Sequence, residues 1–424
     1  MQIPLQAANT IVDPKAFAAW DPVHDVFREL RNSAPVAKAK PDGYDEFWVV
    51  SRYEDVQFVE KNMNSLFHCG DRGSTLLPLD AENHIREMTG GLPYLIRSLV
   101  QMDNPDHYKL RHLTQAWFMP QNLRKLEDRI RSIARSFVDK MLAFDGECDF
   151  AKEIAFYYPL HVVMEVIGVP ASDEPRMLKL TQEIFGSADP ELNREGREVP
   201  PSEHARVLGE VVQDFHEYFG AMSEDRRQNP REDLATIIAN AKIDEQPISF
   251  MDAMGYYIIA ATAGHDTTSA TTASAMIELA LNPDILPALK QDPKGISAFV
   301  EESIRWETPV KHFMRTATQD TEIAGQQIRK DDYIYLSYAS ANRDESVFAA
   351  PDTFNPARSP NKQVAFGYGP HVCLGQHLAR LEMRVLWEEL LPHIASLKLA
   401  GEPQRMAANF VCGPKSVPIR FTVS

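Results

Sequence analysis

The stretch Phe366-Gly367-Tyr368-Gly369-Pro370-His371-Val372-Cys373-Leu374-Gly375 carries more chemistry than any other part of the chain. A cysteine lies between glycines, after an aromatic residue, and directly before a segment whose pattern predicts an amphipathic helix from about Leu374 to Leu390. Glycines at 367, 369 and 375 let the backbone turn sharply and come close to a flat ligand. The helix start beyond them offers unpaired amides and a positive dipole end, which favour a thiolate over a thiol. A thiolate held this way is a strong axial donor to iron. The competing reading is a structural cysteine buried in a glycine-rich loop, since free cysteines are among the most buried residues.

At this pattern the chain resembles the cytochrome P450 family of haem-thiolate monooxygenases. Their haem loop reads Phe-x-x-Gly-x-(His/Arg)-x-Cys-x-Gly, and every fixed position is filled. The resemblance implies haem b (iron protoporphyrin IX), with Cys373 as the proximal iron ligand and Phe366 beside the sulfur. It implies that Gly367, Gly369 and Gly375 shape the turn under the macrocycle and that His371 bonds a propionate. The implied fold is mainly α with a minor β region and a long central helix over the haem. Residues 1–424 would form one haem-thiolate monooxygenase domain, similar to soluble bacterial, terpene-hydroxylating members.

Composition sets the outer bounds. An apolar content of 44% over 424 residues is ample for a large core. A net charge of −16 argues against nucleic acid, whose phosphates need basic patches, and disfavours an anionic membrane surface. Asp13, Lys15, Asp21, His24, Asp25 and Arg28 leave no room near the start for a signal peptide or spanning helix. The four cysteines, at 69, 148, 373 and 412, are dispersed and form neither a zinc pattern nor a disulfide framework. A reducing cytoplasm is the expected home.

Along the chain, Phe47–Val50 predicts a short strand and Tyr53 starts a helix. The stretch from Gly70 to Gly91 mixes Gly, Pro and polar residues and predicts a long loop with little helix. Helical patterns dominate from Pro105 to about Ala143, broken near Pro120. The segment from Phe185 to Ser202 is rich in Pro, Glu and Gly and reads as a mobile connection between helices. Both irregular segments are placed to cover a substrate cavity. The longest predicted helix runs from about Ser249 to Asn282, roughly 50 Å at 1.5 Å per residue. His265, Asp266 and the threonines at its centre argue against a membrane span. Short strands are expected over 322–338 and from Phe410 to Val423.

The centre of that helix reads Ala263-Gly264-His265-Asp266-Thr267-Thr268. Glycine and threonine weaken the backbone ladder, because a threonine hydroxyl can bond a carbonyl one turn earlier. An acid beside an alcohol in an apolar setting makes a plausible proton relay. The alternative is a threonine-rich helix packing against its neighbours. The family has (Ala/Gly)-Gly-x-(Asp/Glu)-Thr here, and by that resemblance Ala263 borders the haem, Thr267 steadies the activated oxygen and Asp266 gates proton entry.

Glu302-Ser303-Ile304-Arg305 places an acid and a base on one helical face, a weak signal by itself, since four other Glu-x-x-Arg pairs occur. The resemblance joins it to Arg358, in Phe354-Asn355-Pro356-Ala357-Arg358, as a buried structural triad. His107 and Arg111 share a helix face at i,i+4; by resemblance they bind propionates, as do Arg315 and His371. Nothing in the chain reads as a flavin or iron–sulfur module. The resemblance therefore implies a separate 2Fe–2S ferredoxin with its NAD(P)H reductase; Lys109, Arg124, Lys362 and Arg380, by their sequence neighbourhood to Cys373 and the 107–111 helix, are candidates for the basic patch that receives it. It also implies O2 and a small hydrophobic substrate, a terpenoid or an aromatic hydrocarbon, with the protein a monomer. The pocket is expected from the 71–99 loop and from Ile259, Thr262, Ala263, Val310, Phe313, Phe410 and Val411. His312 is a candidate polar handle, with Lys311 turned outward. A peroxygenase or isomerase of the same fold, or a non-catalytic haem carrier, is the competing function.

Overall fold

The computed structural model describes residues 1–70 and 72–424, so the first position of the expected 71–99 loop lies outside the described residues. Two continuous apolar runs organise the β region. Phe47–Val50 and Tyr333–Ser337 are buried at every position, as expected of strands covered on both faces. They sit side by side in a five-stranded sheet whose order is Val36–Ala39, Phe47–Val50, Tyr333–Ser337, His312–Ala317, Phe67–His68. Trp48 pairs in parallel with Ile334, and Tyr335 pairs antiparallel with Met314. The chain's last strand, Pro418–Val423, lies between Ile394–Leu399 and Glu147–Asp149.

Helices make up most of the rest, so the fold is mainly α with small sheets. Tyr157–Ile167 is apolar almost all round and is correspondingly interior, with eight buried residues. The cysteine helix, Gln376–Leu390, lies along Glu127–Leu142. Their shared edge is laced by Arg131 to Glu388 at 2.7 Å and Arg384 to Glu127 at 2.9 Å. These pairs are partly solvated and contribute up to about 1 kcal/mol each. Among the described residues, no helix is long and apolar enough to cross a membrane.

Three expectations are corrected. The stretch from Gly70 to Gly91 contains a helix, Leu79–Thr89, because its Gly and Pro residues flank the helical part rather than interrupt it. Pro78 precedes it, Ala81 and Ile85 form a buried i,i+4 pair, and Gly90 closes it at φ 69°. The helix expected over 249–282 is two helices, Phe250–Ala263 and Asp266–Leu281. The longest unbroken helix among the described residues is instead Pro201–Gln228. The break falls at Gly264 and His265. A side chain at 264 would come within 2.6 Å of Val163 Cγ2, so the glycine admits Tyr157–Ile167 at the break. Thr267 Oγ1 donates to the Ala263 carbonyl at 2.9 Å, taking up an acceptor that the opened ladder frees.

The third correction concerns residues 186–200, which do connect two helices but are anchored rather than loose. Asp189 is buried and accepts from Lys415 Nζ and Ala407 N, each at 3.0 Å. Arg194 donates to Glu183 at 2.8 Å.

Glu278, on the second half of the split helix, is buried, and that burial pushes its carboxyl up to about 6 against donation from Asn282. A carboxyl raised above its unfolded value of 4.5 adds stability below pH 4.5 that is lost as pH rises through about 6. We expect the gap in unfolding free energy between the protein and E278Q to shift by about 1 kcal/mol, in favour of the parent, on going from pH 8 to pH 5. Urea unfolding of both at the two pH values measures it.

Candidate active site

Between the split helix and the cysteine loop lies a cavity of about 230 Å³, lined by residues of both.

The cysteine loop is shaped by two glycines. Gly367 and Gly369 take φ values of 72° and 68°, where side chains are strained. A Cβ at 369 would also collide with the backbone carbonyl of Glu60, so the loop lies directly on the helix Tyr53–Lys61. Cys373 N donates to the Phe366 carbonyl at 2.8 Å, closing the turn. Burial pushes the Cys373 thiol up, opposed by the Gly375 and Gln376 amides and by Arg111 and Arg380. The helix-start amides do reach the sulfur, but desolvation outweighs them while it carries a proton. Phe366 is capped by Arg380, whose guanidinium lies 4.4 Å from the ring centre and pairs with Glu301.

One end of the cavity gathers the expected propionate groups. Arg111, His107, Arg315 and His371 all line it. The two imidazoles stack at 4.1 Å between ring centres. Burial, followed by the Arg111 and Arg315 charges, pushes His107 down to about 4. Burial likewise holds His371 well below the usual range. Both are therefore neutral donors. Arg111 faces the cavity with no hydrogen-bond partner among the described residues, and burial lowers its pKa. Arg315 is buried, with Nε unpartnered. Leaving a buried donor unsatisfied costs about 1–3 kcal/mol. The set fits a flat ligand that brings two carboxylates and a metal able to take one thiolate.

The split helix contributes Ile259, Ala263 and Thr267 to the lining, and Val310 and Phe313 complete that side. Asp266 stands behind the lining. Its Oδ2 is buried without a hydrogen-bond partner and lies 3.4 Å from His265 Nδ1. His265 is itself buried, bonded to Thr181 Oγ1 at 3.1 Å and to the Phe156 carbonyl at 2.8 Å.

Several expected pocket residues do not reach the cavity. Thr262 is turned away, donating to the Ile258 carbonyl at 2.8 Å. Phe410 lies behind Phe313, with ring centres 5.4 Å apart, and Val411 is a backbone partner of Val310. Lys311 points inward, not outward: it is 2% exposed and donates to the Glu307 carboxylate at 3.1 Å and carbonyl at 2.7 Å. His312 is no handle either, since its nitrogens bond Asn409 O and Leu76 N and burial pushes it down to about 3. Of the four surface cations, Lys109 is paired with Asp244 and Arg380 with Glu301. Arg124 and Arg380 border one groove beside the cysteine helix.

Two cavity carboxylates escape any motif reading. Glu382 is buried on the cysteine helix, with Oε2 unpartnered and the Thr268 hydroxyl as neighbour. Burial raises it well above the carboxylate range. Glu60 is the other. Each lies in a sequence stretch where an exposed helical acid would be the ordinary reading.

Away from the cavity, Glu302, Arg305 and Arg358 meet. Arg305 Nε and Nη2 donate to Glu302 at 2.8 and 2.7 Å, and Arg358 Nε donates to it at 3.0 Å. Carbonyls of Asn342, Pro351 and Ala349 take further guanidinium protons.

Residues 81–417 match the cytochrome P450 family model, and the chain belongs to that family of haem b-binding, haem-thiolate monooxygenases. It is 46% identical to cytochrome P450-terp of a Pseudomonas species over 99% of this chain and 98% of that one. Linalool 8-monooxygenase of Pseudomonas putida is 31% identical over 93% and 95% of the two chains. Among solved structures, CYP108D1 from Novosphingobium aromaticivorans superposes with a TM-score of 0.92 at 45% identity, covering 100% of both chains.

Removing one partner from a buried ion cluster costs about 3–5 kcal/mol, because the remaining charges stay buried. We expect E302A to lose that much stability, seen as a collapse of soluble yield and melting temperature, with E302Q losing less.

Proposed function

We propose that the protein hydroxylates a small, uncharged hydrophobic molecule, a terpenoid or an aromatic hydrocarbon. Its electrons come from a 2Fe–2S ferredoxin served by an NAD(P)H reductase. The observation that carries this reading is the Thr267 hydroxyl, placed at the helix break in a cavity whose lining includes the apolar side chains of Leu99, Val100, Ile259, Ala263, Val310 and Phe313. An apolar wall without a charged group selects against acids and amines, which would be desolvated there without a partner. The relatives named for P450-terp and linalool fit the same substrate class.

In this reading Cys373 would hold the iron, and Arg111, Arg315, His107 and His371 would hold the propionates. Haem bound there would supply activation of O2 and transfer of one oxygen atom to a C–H bond. The protein's share is positioning, protonation and exclusion of water. The apolar wall orients the substrate. Thr267 can release the Ala263 carbonyl and present its hydroxyl to the cavity, and Asp266, with a free buried oxygen, can replace the proton that Thr267 gives up. Gly264 lies at the break in the helix just before them. The ferredoxin docks on the groove of Leu123, Arg124, His377, Arg380 and Arg384 beside the cysteine helix. The chain acts as one domain and as a monomer, in the cytoplasm.

We expect T267A to keep consuming NADH while diverting most of it to hydrogen peroxide, read as a several-fold fall in product formed per NADH. Unchanged coupling removes Thr267 from the mechanism. Replacement C373S should abolish the strongly red-shifted band of the reduced carbon monoxide complex. Turnover with hydrogen peroxide alone, as fast as with ferredoxin, would replace this reading by a peroxygenase. Titration with camphor-like terpenoids, followed by the haem spin-state spectrum, tests the substrate class.

A further inference from the structure

Glu60 belongs to no motif. It lies near the end of the helix Tyr53–Lys61, where an acid ordinarily faces water, yet it is 0% exposed and lines the cavity. Its Oε1 accepts from Arg315 Nη2 at 2.8 Å and from Tyr338 Oη at 2.7 Å. Its Oε2 lies 3.5 Å from Tyr368 N in the cysteine loop. Arg315 Nη1 donates to the Met314 carbonyl at 2.8 Å. The guanidinium is thus held from two sides by the protein itself, with only Nε buried and unpartnered.

That arrangement upsets the charge balance of the cavity end. Two guanidinium groups, Arg111 and Arg315, carry permanent charge there. Two propionates would match them, but Glu60 already draws on Arg315. With the cofactor seated, Glu60 and the two propionates would carry one more negative charge than these two arginines balance. In a buried site of low effective dielectric, such a charge acts over many ångströms and disfavours adding an electron nearby.

We infer that Glu60 is a positioning residue for the cofactor: it holds Arg315 at the propionate end and, by leaving unbalanced negative charge there, holds down the haem's reduction potential. This rests on reading Arg315 as a propionate contact.

The test uses holoenzyme carrying E60Q, R315Q or both, with midpoint potentials measured by spectroelectrochemistry and haem loss by transfer to apomyoglobin. Glutamine keeps the oxygen that accepts from Arg315 and Tyr338, so a purely structural role leaves the potential where it was. A unit charge acting across ~10 Å at an effective dielectric near 20 changes an equilibrium by on the order of tenfold. We therefore expect E60Q to favour the reduced state by roughly tenfold, about 59 mV for a one-electron couple. R315Q should move the potential the other way, and the double variant should return towards the parent. If E60Q alone does not fold, the double variant against R315Q reads the same charge, with the same upward shift expected. Haem transfer separates the two ways of failing. Unchanged transfer in R315Q removes Arg315 from the propionates, and the inference with it. Faster transfer in R315Q with an unshifted potential on losing the Glu60 charge overturns the Glu60 assignment alone.

Discussion

At the base of the cysteine loop, a carboxylate with no access to water holds two guanidinium groups. Glu302 takes Arg305 and Arg358 at once, and its Oε1 also accepts from Asn355 N at 2.8 Å. Charges this deep are tolerable only when every proton finds an acceptor, and here the leftover protons go to backbone carbonyls of 342, 349, 350, 351 and 353. Those bonds pin an irregular segment that has no ladder of its own. Asn342 passes the constraint onward: its carbonyl serves Arg305 while its Oδ1 accepts from Val364 N at 2.8 Å. Val364 is two residues before Phe366, so the turn carrying Cys373 is suspended from the ion cluster.

The second anchor comes from the opposite side. Gly369 lies on the Glu60 backbone, and the Glu60 side chain reaches round to Arg315 and Tyr338. The cysteine loop is therefore clamped between a charged knot and a helix. One residue of that helix does double duty, shaping the loop with its carbonyl and the cavity's charge with its carboxylate. On the distal side the fold does the reverse. It relaxes a helix at Gly264 and His265, freeing backbone and hydroxyl groups where a reaction needs mobile protons.

Much of this was legible from local sequence because local sequence is what enforces it. A cysteine loop with glycines at positive φ, a helix beginning just past Cys373, and an acid–alcohol pair beside a glycine each depend on neighbours within a few residues. Continuous apolar runs such as Phe47–Val50 declared buried strands for the same reason. The failures share a cause as well. Leu79–Thr89 was hidden because its flanking glycines and prolines outweighed a short buried i,i+4 pair. Lys311 looked like a surface cation because its acceptor Glu307, four residues away, becomes an interior carboxylate shared with Arg405 only in the folded chain. Thr262, Phe410 and Val411 have the right composition for a pocket, but their direction is set by helix phase and by Phe313 standing in front.

By itself, then, the amino-acid order determined a cysteine on a tight turn before a helix, a cation and an imidazole on one helix face, and an acid–alcohol pair on a weakened helix; the family resemblance assigned them to iron, propionates and a proton relay. Spacing and residue type suffice for the local arrangements, since backbone conformation and side-chain reach act over a few residues. Tertiary structure alone decided how those groups are charged and what surrounds them. It buried Glu60 and Glu382 against the cavity, tied part of Arg315 to Glu60, and turned helical acids into interior groups. Burial and long-range pairing depend on segments hundreds of residues apart in the chain, and the electrostatics of a site follow from both.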